Sequence, residues 1–176
     1  MTFLMAAMLV GGLTGLDGTY YESRSGQQEG QGVQKAAAAG KSTMKVHYID
    51  VGQGSAVLVQ SGVHFMLIDG GDSDASSKVV SYLKRQKVKK LDYVVVSHYD
   101  SDHLNGVVGA LNVFKVKRVI APAYTADSRV YESYCNIIAQ KKIATTRPKV
   151  GKKYKLGKAR FTILAPNSSG YVDENN

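Results

Sequence analysis

Four side chains able to ligate a metal fall within the six residues His98-Tyr99-Asp100-Ser101-Asp102-His103. They come directly after Leu91-Asp92-Tyr93-Val94-Val95-Val96-Ser97, which reads as a buried strand. A strand running into such a loop puts polar chemistry at a strand end, where α/β folds carry their sites. His98 and Asp100 are two apart and point the same way from extended backbone. Asp102 and His103 are adjacent and are expected to diverge, so the cluster suits two neighbouring divalent ions, a dinuclear centre. The competing reading is a polar loop whose carboxylates cap the next helix. The single cysteine, Cys135, excludes an internal disulfide and a thiolate cluster, so a metal here needs imidazole and carboxylate ligands.

The elements that must hold this segment follow from hydrophobic period and turn signals. Residues 44–51 alternate, and 56–60 and 63–69 flank Ser61-Gly62 as a hairpin. Asp74 or Ser76 caps a predicted helix ending at Gln86, with Val79, Val80 and Leu83 on one face. The strand 91–97 follows, then the ligand loop, a short helix at 105–111, a strand at 116–121 and a helix at 129–140. Further strands are expected at 143–145 and 159–164. Hairpins followed by strand–helix–strand units predict a mixed sheet with helices packed on it.

The ends of the chain read differently. Residues 2–16 are uncharged and mostly apolar, too short to span a bilayer comfortably and suited to the core of an export signal. Residues 17–43 are rich in Gly, Gln, Ser and Ala and have little to bury, which predicts a flexible linker before a domain at 44–176. Lys plus Arg number 23 against 14 acids, a net charge of +9 that favours polyanionic partners. The bases concentrate at 84–90 and 141–160, runs that would reward contact with a phosphate backbone and that also suit a solvated face. His47 and His64 read as strand-face residues, and Cys135 as packing within a helix.

His98-x-Asp100-x-Asp102-His103 resembles the metal motif of the metallo-β-lactamase superfamily, in the variant where Asp replaces the usual second His. Asp50-Val51-Gly52-Gln53-Gly54 and Leu67-Ile68-Asp69-Gly70-Gly71 stand upstream in the order and spacing of that variant. Together they resemble the soluble hydrolase domain of ComEC-like DNA-uptake competence proteins over 44–166. The resemblance implies an αββα sandwich, of which 44–176 would be the N-terminal half, incomplete at its C-terminus. It implies that His98 and Asp100 ligate one ion, that Asp102 and His103 ligate a second, and that Asp69 orients their loop from behind. Asp102 would also act catalytically by holding the attacking water. The ions would be zinc or, with Asp100 hardening the ligand set, manganese. Relatives of this kind carry Asp after the Gly-Gln-Gly loop, where this chain has Ser55. They draw a further His, a bridging Asp and a final His from later in the fold.

Gly52, Gln53, Gly54 and Ser55 are candidates for contact with an anion or substrate, the loop being read as a tight turn beside the metals. Tyr99, inside the ligand loop, is the candidate for stacking on a base. The implied activity is phosphodiester hydrolysis by a bacterial nuclease-type enzyme, with DNA the leading substrate. One alternative substrate is the phosphodiester of cell-wall phosphocholine or teichoic acid. Another alternative is an inactive half domain that binds metal or polyanions. An export signal predicts an extracellular or cell-surface location, with no stable membrane span in the mature chain.

Overall fold

The computed structural model describes residues 7–9 and 44–166. The expected linker at 17–43, most of the apolar leader and residues 167–176 lie outside the described residues. In chain order the elements are β1 (Ala7–Leu9), β2 (Met44–Tyr48), β3 (Val57–Ser61), β4 (His64–Ile68), α1 (Ser73–Arg85), β5 (Lys90–Leu91) and β6 (Tyr93–Val95). Then follow α2 (Ser101–Val113), β7 (Lys115–Val116), β8 (Arg118–Ile120), α3 (Arg129–Gln140), β9 (Ala144–Thr146), β10 (Lys153–Leu156) and β11 (Ala159–Ile163).

A six-stranded sheet runs β2-β3-β4-β6-β8-β9. Its first three strands are antiparallel, with Ser61 opposite His64 across the expected tight turn. β4, β6, β8 and β9 are parallel, and a helix lies between each successive pair along the chain. That connectivity buries the parallel strands on both faces, which explains the near-continuous apolar runs at 65–68 and 94–96. Successive side chains alternate between two cores. Leu58, Leu67, Val94 and Val119 join the core that includes Val79 and Leu83 of α1, Leu104 and Val107 of α2, and Tyr134 of α3. Val59, Met66, Val95 and Ile120 face Leu156, Phe161 and Ile163 of the β10–β11 hairpin on the other side. β1 pairs with the far edge of β11, making that second sheet β1-β11-β10. The described layers are therefore helices, mixed sheet and second sheet, in agreement with the expected mixed sheet with helices packed on it.

Two local expectations give way to tertiary structure, and one strand is not expected from the sequence. α1 is capped by Asp72, whose carboxylate accepts from Ser73 N at 2.6 Å, and not by Asp74 or Ser76. α2 begins at Ser101, so Asp102 and His103 lie in its first turn and not in a loop before it. The basic stretch 153–156 is a strand whose alternate residues, Tyr154 and Leu156, turn inward while Lys153 and Lys155 stay exposed. Among the described residues no helix is long and apolar enough to cross a membrane.

Candidate metal centre

The site forms where β4 and β6 end side by side. Asp69 N donates to Val95 O at 2.9 Å, so the two strands deliver Asp69 and Ser97 to neighbouring positions. The first turn of α2 is then pinned against the β4 end. Gly70 N donates to His103 O at 2.8 Å, and Gly106 N to Gly71 O at 3.3 Å. The approach is so close that a Cβ on Gly106 would overlap Gly70 O, and one on Gly54 would overlap Asp102 O. Glycine is what lets both backbones sit against the helix start.

Asp69 is buried, 3% exposed, and holds a left-handed backbone at φ 54°. That conformation is uncommon outside glycine, and the carboxylate's contacts hold it in place. Oδ1 accepts from Ser97 N at 2.8 Å, and Oδ2 accepts from Ser97 Oγ at 2.7 Å and from His103 Nδ1 at 3.0 Å. Because the Ser97 hydroxyl proton is committed to Asp69, its oxygen must accept at its 2.9 Å contact with His98 Nδ1. In their neutral forms both imidazoles thus carry their proton on Nδ1 and present Nε2 to a ligand. One carboxylate sets both tautomers, His103 directly and His98 through Ser97.

The Nε2 side is built for a cation. Ligand atoms of His98, Asp102 and His103 all lie within 4.8 Å of one another, and the two rings stand 4.0 Å apart between centroids. His103 Nε2 is 3.6 Å from Asp102 Oδ2, and His98 Nε2 is 3.4 Å from Asp100 Oδ2. Burial pulls the His103 imidazole toward neutrality, but the hydrogen bond to Asp69 and the charges of Asp69, Asp102 and Asp100 outweigh it and hold its pKa above the usual value. Two nitrogen donors and one carboxylate converging on a carboxylate-rich pocket match a divalent transition metal. Three protein ligands are what a catalytic zinc site ordinarily has.

Three of the four sequence-predicted ligands, His98, Asp102 and His103, are brought into one group. Asp102 and His103 do not diverge: together with His98 they form one three-residue group, and Asp100 stands beside His98. Asp100 occupies the N-cap position of α2 yet makes no side-chain capping bond, so the capping role does not account for it. Asp69 lies on the Nδ1 side of His103, hydrogen-bonded to it and to Ser97. Gly54 abuts Asp102, which places the Gly52-Gln53-Gly54 turn beside the site, with these three residues exposed and Ser55 half-buried.

Tyr99 is a correction. Its side chain is 4% exposed, its hydroxyl donates to Pro122 O at 2.9 Å, and its ring lies among Tyr124, Tyr131 and Tyr134. Alternation along the extended 98–100 segment sends it to the opposite side from His98 and Asp100, into the core and away from any substrate base. Burial among those tyrosines also raises its phenol pKa. Tyr99 N donates to the Tyr124 hydroxyl at 3.0 Å, so the tyrosine cluster anchors the ligand segment. Ser97 is the functional residue that the sequence leaves without a role; its signal is its place as the last residue of the strand before the ligands.

Comparison with known proteins agrees with this geometry. Residues 49–159 match the family model of the metallo-beta-lactamase superfamily. Among solved structures, metallo-beta-lactamase SMB-1 in complex with mercaptoacetic acid matches with a TM-score of 0.52 at 20% identity, covering 68% of this chain and 49% of that one. A Cronobacter sakazakii metallo-beta-lactamase with a HARLDQ motif matches at 0.50 and 17% identity, with 68% and 49% covered. At such identities the likeness is one of fold. By sequence, the chain is 30% identical over 100 residues to Recombination protein 2 of Haemophilus influenzae, covering 54% of this chain and 13% of that protein. It is 26% identical over 152 residues to ComE operon protein 3 of Bacillus subtilis, covering 75% and 19%. The chain thus spans less than a fifth of the length of these curated relatives. With a family match over more than half of its residues and the fold to go with it, the chain belongs to the metallo-beta-lactamase superfamily.

Proposed function

We propose that this chain is a metal-dependent phosphodiesterase domain with DNA as its leading substrate. The observation that carries the reading is the convergence of His98, Asp102 and His103 with both Nε2 lone pairs left free by the Asp69–Ser97 hydrogen bonds. The proposal includes two ions, zinc or manganese, the second taking Asp100 as a ligand. A bound divalent ion supplies Lewis acidity, polarising a phosphoryl oxygen and acidifying water. The chain's own residues prepare that chemistry. Asp69 and Ser97 lock the imidazoles, so no rotation or tautomer change is needed when an ion enters. Asp102 accepts a hydrogen bond from the attacking water and orients it. Helix α2 points its N-terminus at the site, where its dipole stabilises negative charge.

Likeness to proteins named for recombination and competence, together with the net charge of +9, supports DNA over other phosphodiesters. The uncharged apolar segment at 2–16 supports export to the cell exterior or surface. The test is to strip the protein of metal, reload it with zinc or manganese, and compare cleavage of a single-stranded oligonucleotide with that of a phosphocholine ester. Oligonucleotide cleavage lost in His98→Ala and Asp102→Ala is the expected result. Turnover of the phosphocholine ester alone would transfer the substrate to wall polymers, and metal uptake without turnover of either would leave a binding domain. Unchanged metal stoichiometry in both variants would remove the site itself.

A further inference from the structure

The parallel strands have a second end, away from the metal cluster. Opposite the metal cluster, at their N-terminal ends, lies an open cavity of about 600 Å³ whose wall includes His64, Asp92, Lys117, Lys155, Gly157 and Lys158. Asp92 precedes His98 by six residues along β6, up to about 20 Å at a strand rise of about 3.3 Å per residue. A small ligand in the cavity would not touch the metal ligands.

The wall is assembled from distant parts of the sequence. Asp92 and Lys117 stand at matched positions between β5 and β6 and between β7 and β8, where Asp92 N donates to Phe65 O at 2.8 Å and Lys117 N to Leu91 O at 2.9 Å. Lys155 comes from β10, and Lys158 from the turn to β11. The basic run at 141–160, read from sequence as either a phosphate contact or a solvated face, thus sends two of its lysines into one concavity and meets Lys117 there. Other bases in the runs have structural duties: Lys141 Nζ caps the end of α2 through Leu111 O at 2.7 Å and Asn112 O at 2.6 Å, and Arg85 lies over the Tyr82 ring.

Charge in the cavity is unbalanced. Its carboxylate, Asp92, has a side chain only 10% exposed and is engaged by His64 Nδ1 at 2.9 Å and Lys90 Nζ at 3.3 Å. Among the described residues no ion pair involves Lys117, Lys155 or Lys158. Three ammonium groups around one hollow repel one another, and an anion seated among them would relieve that repulsion. The His64 ring is fixed on one side by Asp92 and backed by the β10–β11 turn, where Gly157 at φ 60° approaches so closely that a Cβ would stand 2.8 Å from His64 Cδ2. His64 is thus fixed beforehand, whereas the exposed side chains of Lys117, Lys155 and Lys158 order when an anion binds.

We propose that this cavity is a phosphate-binding site, separate from the metal centre, in which Lys117, Lys155 and Lys158 hold the phosphate of a nucleic-acid strand or of a small phosphate anion. Such a site stands whether or not the chain is a hydrolase. It is tested on the metal-free full chain by titrating inorganic phosphate and a labelled single-stranded oligonucleotide, with binding followed by anisotropy and the His64 ring resonances by NMR. The His64 resonances are expected to move with at least one of the two. The triple variant Lys117→Ala/Lys155→Ala/Lys158→Ala should bind at least tenfold more weakly. For the oligonucleotide its salt slope should fall by about 2, at about 0.7 for each phosphate of a single strand that is no longer neutralised. Single variants, each at an exposed side chain, should weaken binding in steps, while Lys84→Ala/Lys87→Ala at the end of α1 should bind as the parent does. Movement with oligonucleotide alone assigns the site to a polymer backbone, and movement with both assigns it to the phosphate group itself. Unmoved His64 resonances with both probes, or a triple variant binding like the parent, would overturn the proposal.

Discussion

Removing one hydroxyl, in Ser97→Ala, separates the two imidazoles of the metal centre. The substitution deletes the 2.7 Å bond from Ser97 Oγ to Asp69 and the 2.9 Å bond that Ser97 Oγ accepts from His98 Nδ1. It leaves the Ser97 N bond to Asp69 at 2.8 Å and the His103 bond to Asp69 at 3.0 Å. Only His98 is then free to change tautomer or rotate. Loss of a hydrogen-bond partner behind a metal ligand costs roughly 10- to 100-fold in affinity. With one of two histidines affected, Ser97→Ala should lie near the lower bound, about 10-fold or about 1.4 kcal/mol. Asp69→Asn disturbs both histidines and should lie near the upper bound, about 100-fold. Ser97→Thr, which keeps the hydroxyl, should recover most of the affinity. Zinc binding by chelator competition reads all three, and NMR of the His98 ring shows whether its tautomer shifts. Equal weakening in Ser97→Ala and Asp69→Asn, or wild-type affinity in Ser97→Ala, would refute the relay from Asp69 through Ser97 to His98.

Gly106→Ala drives a methyl into Gly70 O, a backbone atom with nowhere to go, so urea unfolding should show a loss of at least about 1–3 kcal/mol together with weakened metal binding. Metal removal should lower the melting temperature of the parent, since zinc at 100 times its dissociation constant adds about 2.7 kcal/mol; a Tm unmoved by chelator would contradict folded-state binding. Burial acts to raise the Asp92 pKa, but hydrogen bonds from His64 and Lys90 and their charges hold it below the ordinary 3.8. Its stabilising effect is therefore full above that value and is lost as pH falls through the lower folded-state pKa. Parent and Asp92→Asn should accordingly differ in stability at neutral pH and converge in strong acid, and a constant difference across the acid range would count against the linkage. Tyr99→Phe should cost about 1 kcal/mol by deleting the bond to Pro122 O while leaving oligonucleotide binding unchanged.

Much of the fold is legible in the sequence because its signals are local. Period-2 alternation marks β2, the Ser61-Gly62 turn marks the hairpin of β3 and β4, and the spacing of Val79, Val80 and Leu83 marks the core face of α1. Elements whose character depends on distant partners are not legible. β10 lies within the basic run 141–160 and shows no strand signal until the second sheet supplies Leu156 with Phe161 and Ile163 as neighbours. Asp72 reads as a loop residue, yet it caps α1 and also accepts from Asn105 Nδ2 at 3.0 Å, a contact that the α1–α2 packing creates. Ser97 escapes notice because a serine between a strand and a histidine has no distinctive chemistry by itself; its role exists only where Asp69, 28 residues earlier, ends the neighbouring strand.

The divergence expected of Asp102 and His103 fails for the same reason, and its failure explains how so short a motif makes a site. Neighbours on extended backbone do point to opposite faces, and Tyr99 obeys that rule by turning into the core between His98 and Asp100. The rule lapses one step later. Asp100 is the last extended residue, at φ −69° and ψ 153°, and Ser101 begins a helix, in which successive side chains are separated by about 100° and not by 180°. The first helical turn brings Asp102 and His103 round together toward His98, while the hydrogen bond from Gly70 N to His103 O sets how deeply that turn is seated. The motif spacing therefore encodes a change of backbone as much as a set of ligands: with either a strand or a helix throughout, the same six residues would scatter their donors.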